Sequence, residues 1–133
     1  MIISTAPTRI DLAGGTLDIW PLYLYFDNPP TLNAAIDLYA TVELVPRKDK
    51  RIVVESKDLN HKAEFSSIDS LPDKHPLHLI LKTLKYYRPR RGLMIVTSSK
   101  APPGSGIGGS SALSIALQGA LNTFSGKKLS KKQ

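Results

Sequence analysis

The chain has 133 residues, 41% hydrophobic and 22% charged, with no cysteine, ten prolines, nine glycines and a formal net charge of +7. That is the profile of one ordinary folded domain, long enough to bury roughly two thirds of its unfolded surface in a core. Zero cysteine excludes a disulfide framework, a thiolate zinc site and a cysteine nucleophile, and no apolar run approaches the ~20 residues of a membrane span.

The charge is unevenly placed. Residues 1–45 hold Arg9 against Asp11, Asp18, Asp27, Asp37 and Glu43, whereas residues 46–133 hold seventeen basic and six acidic residues, with no carboxylate side chain after Asp73. The basic half suits an anion, with plain solubility as the competing explanation. The start, MIISTAPTR, has no basic-then-apolar signal pattern, and a cytoplasmic location is the expectation.

Short β-like pieces are predicted at Ile2–Ser4 and Ile10–Leu12, separated by Ala6-Pro7 and closed by Gly14-Gly15. Phe26–Pro30 reads as a turn because paired prolines neither continue a helix nor sit in a central strand. From Ala35 to Val45 apolar Ile36, Leu38, Ala40, Val42 and Leu44 alternate with Asp37, Tyr39, Thr41 and Glu43, the pattern of a strand with one buried face. Arg47–Lys50 is predicted to form a hairpin turn returning as a strand over Arg51–Ser56, and Lys62–Phe65 is a third, shorter candidate.

Leu77, Ile80, Leu81, Leu84 and Tyr87 then fall at helical spacing behind Pro76, and Pro89 ends the helix. Leu93–Thr97 is a short apolar strand. A helix from about Ser110 to Phe124 presents Leu113, Ala116, Leu117, Ala120, Leu121 and Phe124 on one stripe. The fold class is α+β, β-rich first and then α, β, glycine loop, α. At the end, Ser130 and Gln133 have the spacing of a capping box, so the tail reads either as the start of a further helix or as a frayed lysine-rich end.

The loop Ala101–Gly109 carries four glycines in six residues between a strand and a helix. Glycines there leave backbone N–H groups open to a phosphate chain, and the following helix points its positive end at the same spot. Ser105, Ser110 and Ser111 add hydroxyls, one of which can hold Mg²⁺ beside a phosphate. Two common cradles fit incompletely. The Walker A lysine position is occupied by Ser110, and the acid of a dinucleotide fold has no candidate where no Asp or Glu remains. His61, His75 and His78 lack metal-ligand spacing and read as exposed or capping residues.

The segment from Pro102 to Ala112, PPGSGIGGSSA, resembles the phosphate loop of the GHMP kinases (galactokinase, homoserine, mevalonate and phosphomevalonate kinases), P-x-G-x-G-L-G-S-S-A, with Gly109 where many members have serine. Ala6–Asp18 is similar to the R-I-x-x-A-G-G-x-[TS]-D pattern of the heptose-7-phosphate kinase and fucokinase branch, with Leu17 where those relatives often have Thr or Ser. Leu32–Ala40 resembles the strand that follows.

The resemblance implies the β-rich, ribosomal-protein-like N-terminal domain of such a kinase over residues 1–133, incomplete at its C-terminus and without the C-terminal domain. It implies ATP and Mg²⁺ as cofactors and a sugar or sugar phosphate as acceptor. The implied phosphate-binding residues are Pro103, Gly104, Ser105, Gly106, Ile107, Gly108, Gly109, Ser110 and Ser111, with Ser110 also at the Mg²⁺. Arg9, Gly15, Thr16 and Asp18 are the implied substrate residues, Arg9 also offsetting charge on the transferred phosphoryl group. Asp11 is expected to be a strand-end cap or the partner of an arginine, and Asn33 reads equally as a residue near the nucleotide and as a turn residue. The family's general base follows the phosphate loop, so the isolated chain is expected to be inactive. The alternative is a basic RNA-binding domain of the related ribosomal-protein-like fold, disfavoured because aromatic and basic residues are not interleaved.

Overall fold

The computed structural model describes residues 1–102 and 104–127. Pro103 and the tail with its capping-box spacing therefore lie outside the described residues. Five strands form one sheet: β1 (Ile2–Ala13), β2 (Leu32–Pro46), β3 (Ile52–Ser56), β4 (His61–Phe65) and β5 (Leu93–Ser99), in the order β1-β2-β5-β3-β4. A short helix α1 (Leu22–Tyr25) precedes β2, and a 3-10 turn at Ile68–Ser70 leads towards α2 (His78–Tyr87); α3 (Gly109–Ser125) follows β5.

The alternation along β2 translates directly into packing. Ala40, Val42 and Leu44 are buried while Tyr39 and Val45 on the other face are exposed. The helix spacing does the same for α2, where Leu77, Ile80, Leu81, Leu84 and Tyr87 are all buried, and for α3, whose stripe from Ala112 to Leu121 joins them. The two helices thus cover one face of the sheet and close a single core between two layers. α3 lies along β1 and β2 so closely that a Cβ on Gly119 would come within 2.7 Å of Ser4 Oγ.

Two expectations about strands are corrected. The pieces at Ile2–Ser4 and Ile10–Leu12 are one strand, running straight through Pro7. Proline is tolerated because β1 is an edge strand, and the ladder is irregular at that point: Pro7 pairs with Tyr39 but Thr8 with Ile36. The buried Thr8 hydroxyl donates to the Leu38 carbonyl left over by the slip (2.9 Å).

The second correction concerns Arg47–Lys50, which joins β2 to β3 without pairing them. β5 enters between the two, antiparallel to β2 and parallel to β3. The connecting loop closes over the start of β5 through Arg47 N–H to Gly92 O (2.9 Å), Gly92 N–H to Asp49 O (2.9 Å) and Leu93 N–H to Arg51 O (3.0 Å). A Cβ on Gly92 would stand 2.5 and 2.6 Å from the Asp49 and Arg51 carbonyl oxygens, so only glycine passes under this loop. The loop is held from the other side as well. Arg47 donates to both Asp49 oxygens (2.8 and 2.6 Å), and this grip, with the Arg51 amide, holds the Asp49 carboxyl down at about 2.

Candidate functional site

β5 delivers the chain to the glycine loop and α3 takes it away, so loop and helix start share one end of the sheet. Gly104, Gly106 and Gly108 all have positive φ (+77°, +72° and +74°), a conformation that places successive peptide groups on a concave path. A Cβ on Gly104 or Gly106 would meet nothing within 4 Å, which shows that this side of the loop faces open space. At the helix start no side chain caps α3, and the first helical amide with a backbone partner is Ala112, bonded to Gly108 O (2.9 Å). The Gly109, Ser110 and Ser111 amides have no partner among the described residues, and both serines are exposed beside them. An uncapped start of a 17-residue helix, bordered by hydroxyls and an open glycine path, fits an anionic phosphate chain.

The two sequence blocks, far apart in the chain, meet here. The Arg9 amide donates to the Ile107 carbonyl (3.2 Å), tying β1 to the loop, and the Arg9 guanidinium lies 3.5 Å from where a Cβ on Gly108 would be. Arg9 also pairs with Asp11 (3.5 Å), as expected for that carboxylate. The pairing is loose and half exposed, leaving the guanidinium free to meet a second anion. Gly15 packs against Asp11, since a Cβ there would approach its Oδ2 to 2.9 Å; the turn that follows, closed by Leu17 N–H to Gly14 O (2.9 Å), carries Thr16 and Asp18 exposed. Arg9, Asp11 and Gly15 are therefore brought together at the loop. Thr16 and Asp18 stay on the turn and, among the described residues, make no polar contact with the glycine loop. Asn33 sits opposite Asp11 in the β1–β2 ladder.

A cleft of about 620 Å³ runs from the glycine loop between the start of α2 and the end of β3. Its walls beyond the loop include Asp58, Leu59, Pro76, His78 and Leu79, none of which the sequence marked for this role. No motif signals them; only the parallel pairing of β3 with β5 puts the turn after Ser56 beside the loop after Ser99. The reading of the histidines as exposed or capping fits His75, whose Nδ1 accepts from the Leu77 amide (3.1 Å), and His78, which is exposed at the cleft. Among the described residues no group of three or more histidines and carboxylates could hold a metal. Mg²⁺ does not need one, because it binds through one or two protein oxygens together with substrate phosphates.

Known proteins share both the sequence and the geometry. Residues 77–133 match the family model described as GHMP kinases N terminal domain. D-glycero-alpha-D-manno-heptose 7-phosphate kinase of Campylobacter jejuni is 32% identical over 123 residues, covering 87% of this chain and 35% of that protein. The mevalonate kinase of Methanothermobacter thermautotrophicus is 32% identical over 98 residues, covering 74% of this chain and 30% of the relative. The chain therefore spans about a third of the length of these relatives. The crystal structure of a D-glycero-D-manno-heptose 1-phosphate kinase from Bacteroides thetaiotaomicron superposes with a TM-score of 0.84 at 28% identity, covering 97% of this chain and 44% of that one.

Proposed function

The chain belongs with the GHMP kinases in sequence and in fold, and from that premise we propose that residues 1–133 form the nucleotide- and substrate-binding part of an ATP-dependent sugar or sugar-phosphate kinase. The observation that carries this is the meeting of Arg9 with the glycine loop, through the amide bond to Ile107 and the guanidinium beside Gly108. It brings a cation up to the loop that carries an uncapped helix start and two serine hydroxyls, the equipment that phosphoryl transfer uses to position and neutralise a polyphosphate.

In this reading the amides from Gly104 to Ser111, Pro103 being part of the same loop, hold the phosphates of ATP, and the Ser110 hydroxyl is a ligand of Mg²⁺. ATP supplies the phosphoryl group. Arg9 offsets charge on the oxygens of that group, its backbone being tied to the loop through the Ile107 carbonyl. The cleft is large enough for a nucleoside, with apolar Leu59 and Leu79 and polar Asp58 and His78 as its walls. Gly15, Thr16 and Asp18 stand on the acceptor side, where a carboxylate receives hydrogen bonds from sugar hydroxyls. The two heptose-phosphate kinases among the relatives favour a phosphorylated sugar as acceptor. No carboxylate follows Asp73, so the 133 residues are proposed to bind nucleotide without turning it over.

Calorimetric titration with Mg-ATP tests this. The expected result is saturable binding that Ser110→Ala weakens about tenfold, the size of one lost hydrogen bond to a charged group. Absence of any saturable heat from the unaltered chain would overturn the reading.

A further inference from the structure

At the opposite end of β3, β5 and α2 from the glycine loop lies a second recess, of about 260 Å³, bordered by Lys50, Ser67, Asp69, Arg88, Arg90 and Arg91. The ten residues of α2 separate the two by about 15 Å, at 1.5 Å per residue. We propose that this recess is a binding site for a phosphoryl or diphosphoryl group, separate from the kinase site.

The charge around it is not balanced by its surroundings. Three nearby carboxylates are each taken by one arginine: Asp49 by Arg47, Glu64 by Arg51 (2.7 Å) and Asp69 by Arg88 (2.7 Å). Lys50, Arg90 and Arg91 are left without an ion pair or hydrogen bond of their side chains among the described residues, all three exposed at the rim. Unpaired like charges on a compact surface repel one another, so holding them together costs free energy that a bound anion recovers. Asp69 would oppose an anion, but its pairing with Arg88 offsets that charge and leaves the recess net positive.

The backbone holds these side chains in place. Pro89 and Gly92 are buried on either side of Arg90 and Arg91, and the hydrogen bonds of Gly92 and Leu93 to Asp49 and Arg51 knit the arginine loop to the lysine loop. Arg88 ends α2 in the left-handed region (φ +44°), a position where glycine is the usual residue and a side chain is strained. The arginine there reaches Asp69, which borders the same recess. Arginine forks on a fixed backbone favour oxygens of a phosphate over a simple halide. The recess is smaller than the 300–1,000 Å³ usual for drug-sized ligands, which suits a phosphoryl or diphosphoryl group with the rest of its carrier outside.

The test is amide NMR of the 133-residue chain titrated with inorganic pyrophosphate at constant ionic strength, with chloride as the control. Saturable shifts are expected at Lys50, Ser67, Asp69, Arg90 and Arg91, weakened about tenfold or more in the Arg90→Ala/Arg91→Ala double variant and several-fold in Lys50→Ala. Unchanged shifts elsewhere in the variant spectra establish that the fold is intact. Ser110→Ala leaves this response in place while weakening any response at the glycine loop, so failure at one site is distinguishable from failure at the other. Shifts that do not saturate, that chloride reproduces, or that survive both variants overturn the proposal. So does an oligoribonucleotide that binds the same residues more tightly than pyrophosphate, because that outcome makes the surface a polyanion strip.

Discussion

Gly106 shows what a single residue contributes to the candidate site. Its φ of +72° is one that L side chains rarely adopt, yet an added Cβ has open space in front of it. The Gly106→Ala variant is therefore expected to fold, losing about 1 kcal/mol for a left-handed alanine. Its methyl group occupies the path along the loop amides, so Mg-ATP affinity should fall more than stability does. A melting curve and a calorimetric titration of the same variant check this, and unchanged affinity would remove the loop from the binding site. Gly108 is more constrained, since a methyl there also faces the Arg9 guanidinium. The loop was legible from composition and order alone, because glycine density between a strand and a helix is a local property. The bond from Arg9 to Ile107 was not, because nothing local records which edge strand will lie against the loop.

Among the elements, the helices were readable and the strand partners were not. Helical spacing is set within a few residues of sequence, and the predicted stripes of α2 and α3 are the buried ones. α1, with four residues and no buried side chain, has no periodicity to detect. The apparent hairpin at Arg47–Lys50 was misleading for a physical reason: charged turn residues between two apolar segments show that the chain reverses, not that its two arms pair. β5, some forty residues later, takes the place between them, and Gly92 is what allows the loop to close over it. Gly92→Ala is expected to destabilise the domain by about 1–3 kcal/mol, as overpacking against backbone oxygens does, because neither carbonyl can move without losing its hydrogen bond. Urea unfolding measures it; a midpoint equal to that of the unaltered chain would show that the loop yields.

In the whole molecule one core supports both ends. Leu84 is fully buried where α2 meets the rest of the cluster, and α2 runs between the two recesses. Leu84→Ala is expected to cost about 2–5 kcal/mol, read as a lower denaturant midpoint, a cavity effect that the surrounding close packing only partly relieves. A loss well below 1 kcal/mol would mean that α2 is not anchored as described. The sequence by itself determined which segments are amphipathic, where the glycine cradle lies and which family the two motifs belong to, because periodicity, glycine density and motif spacing are carried by neighbouring residues. Only the tertiary structure decided that β5 separates β2 from β3, that Arg9 touches the loop, that Asp58 and His78 wall the cleft and that Lys50 borders the same far-end recess as Arg90 and Arg91. Each of these is a contact between segments distant in the chain, and such contacts arise only when the whole sheet buries its apolar face at once.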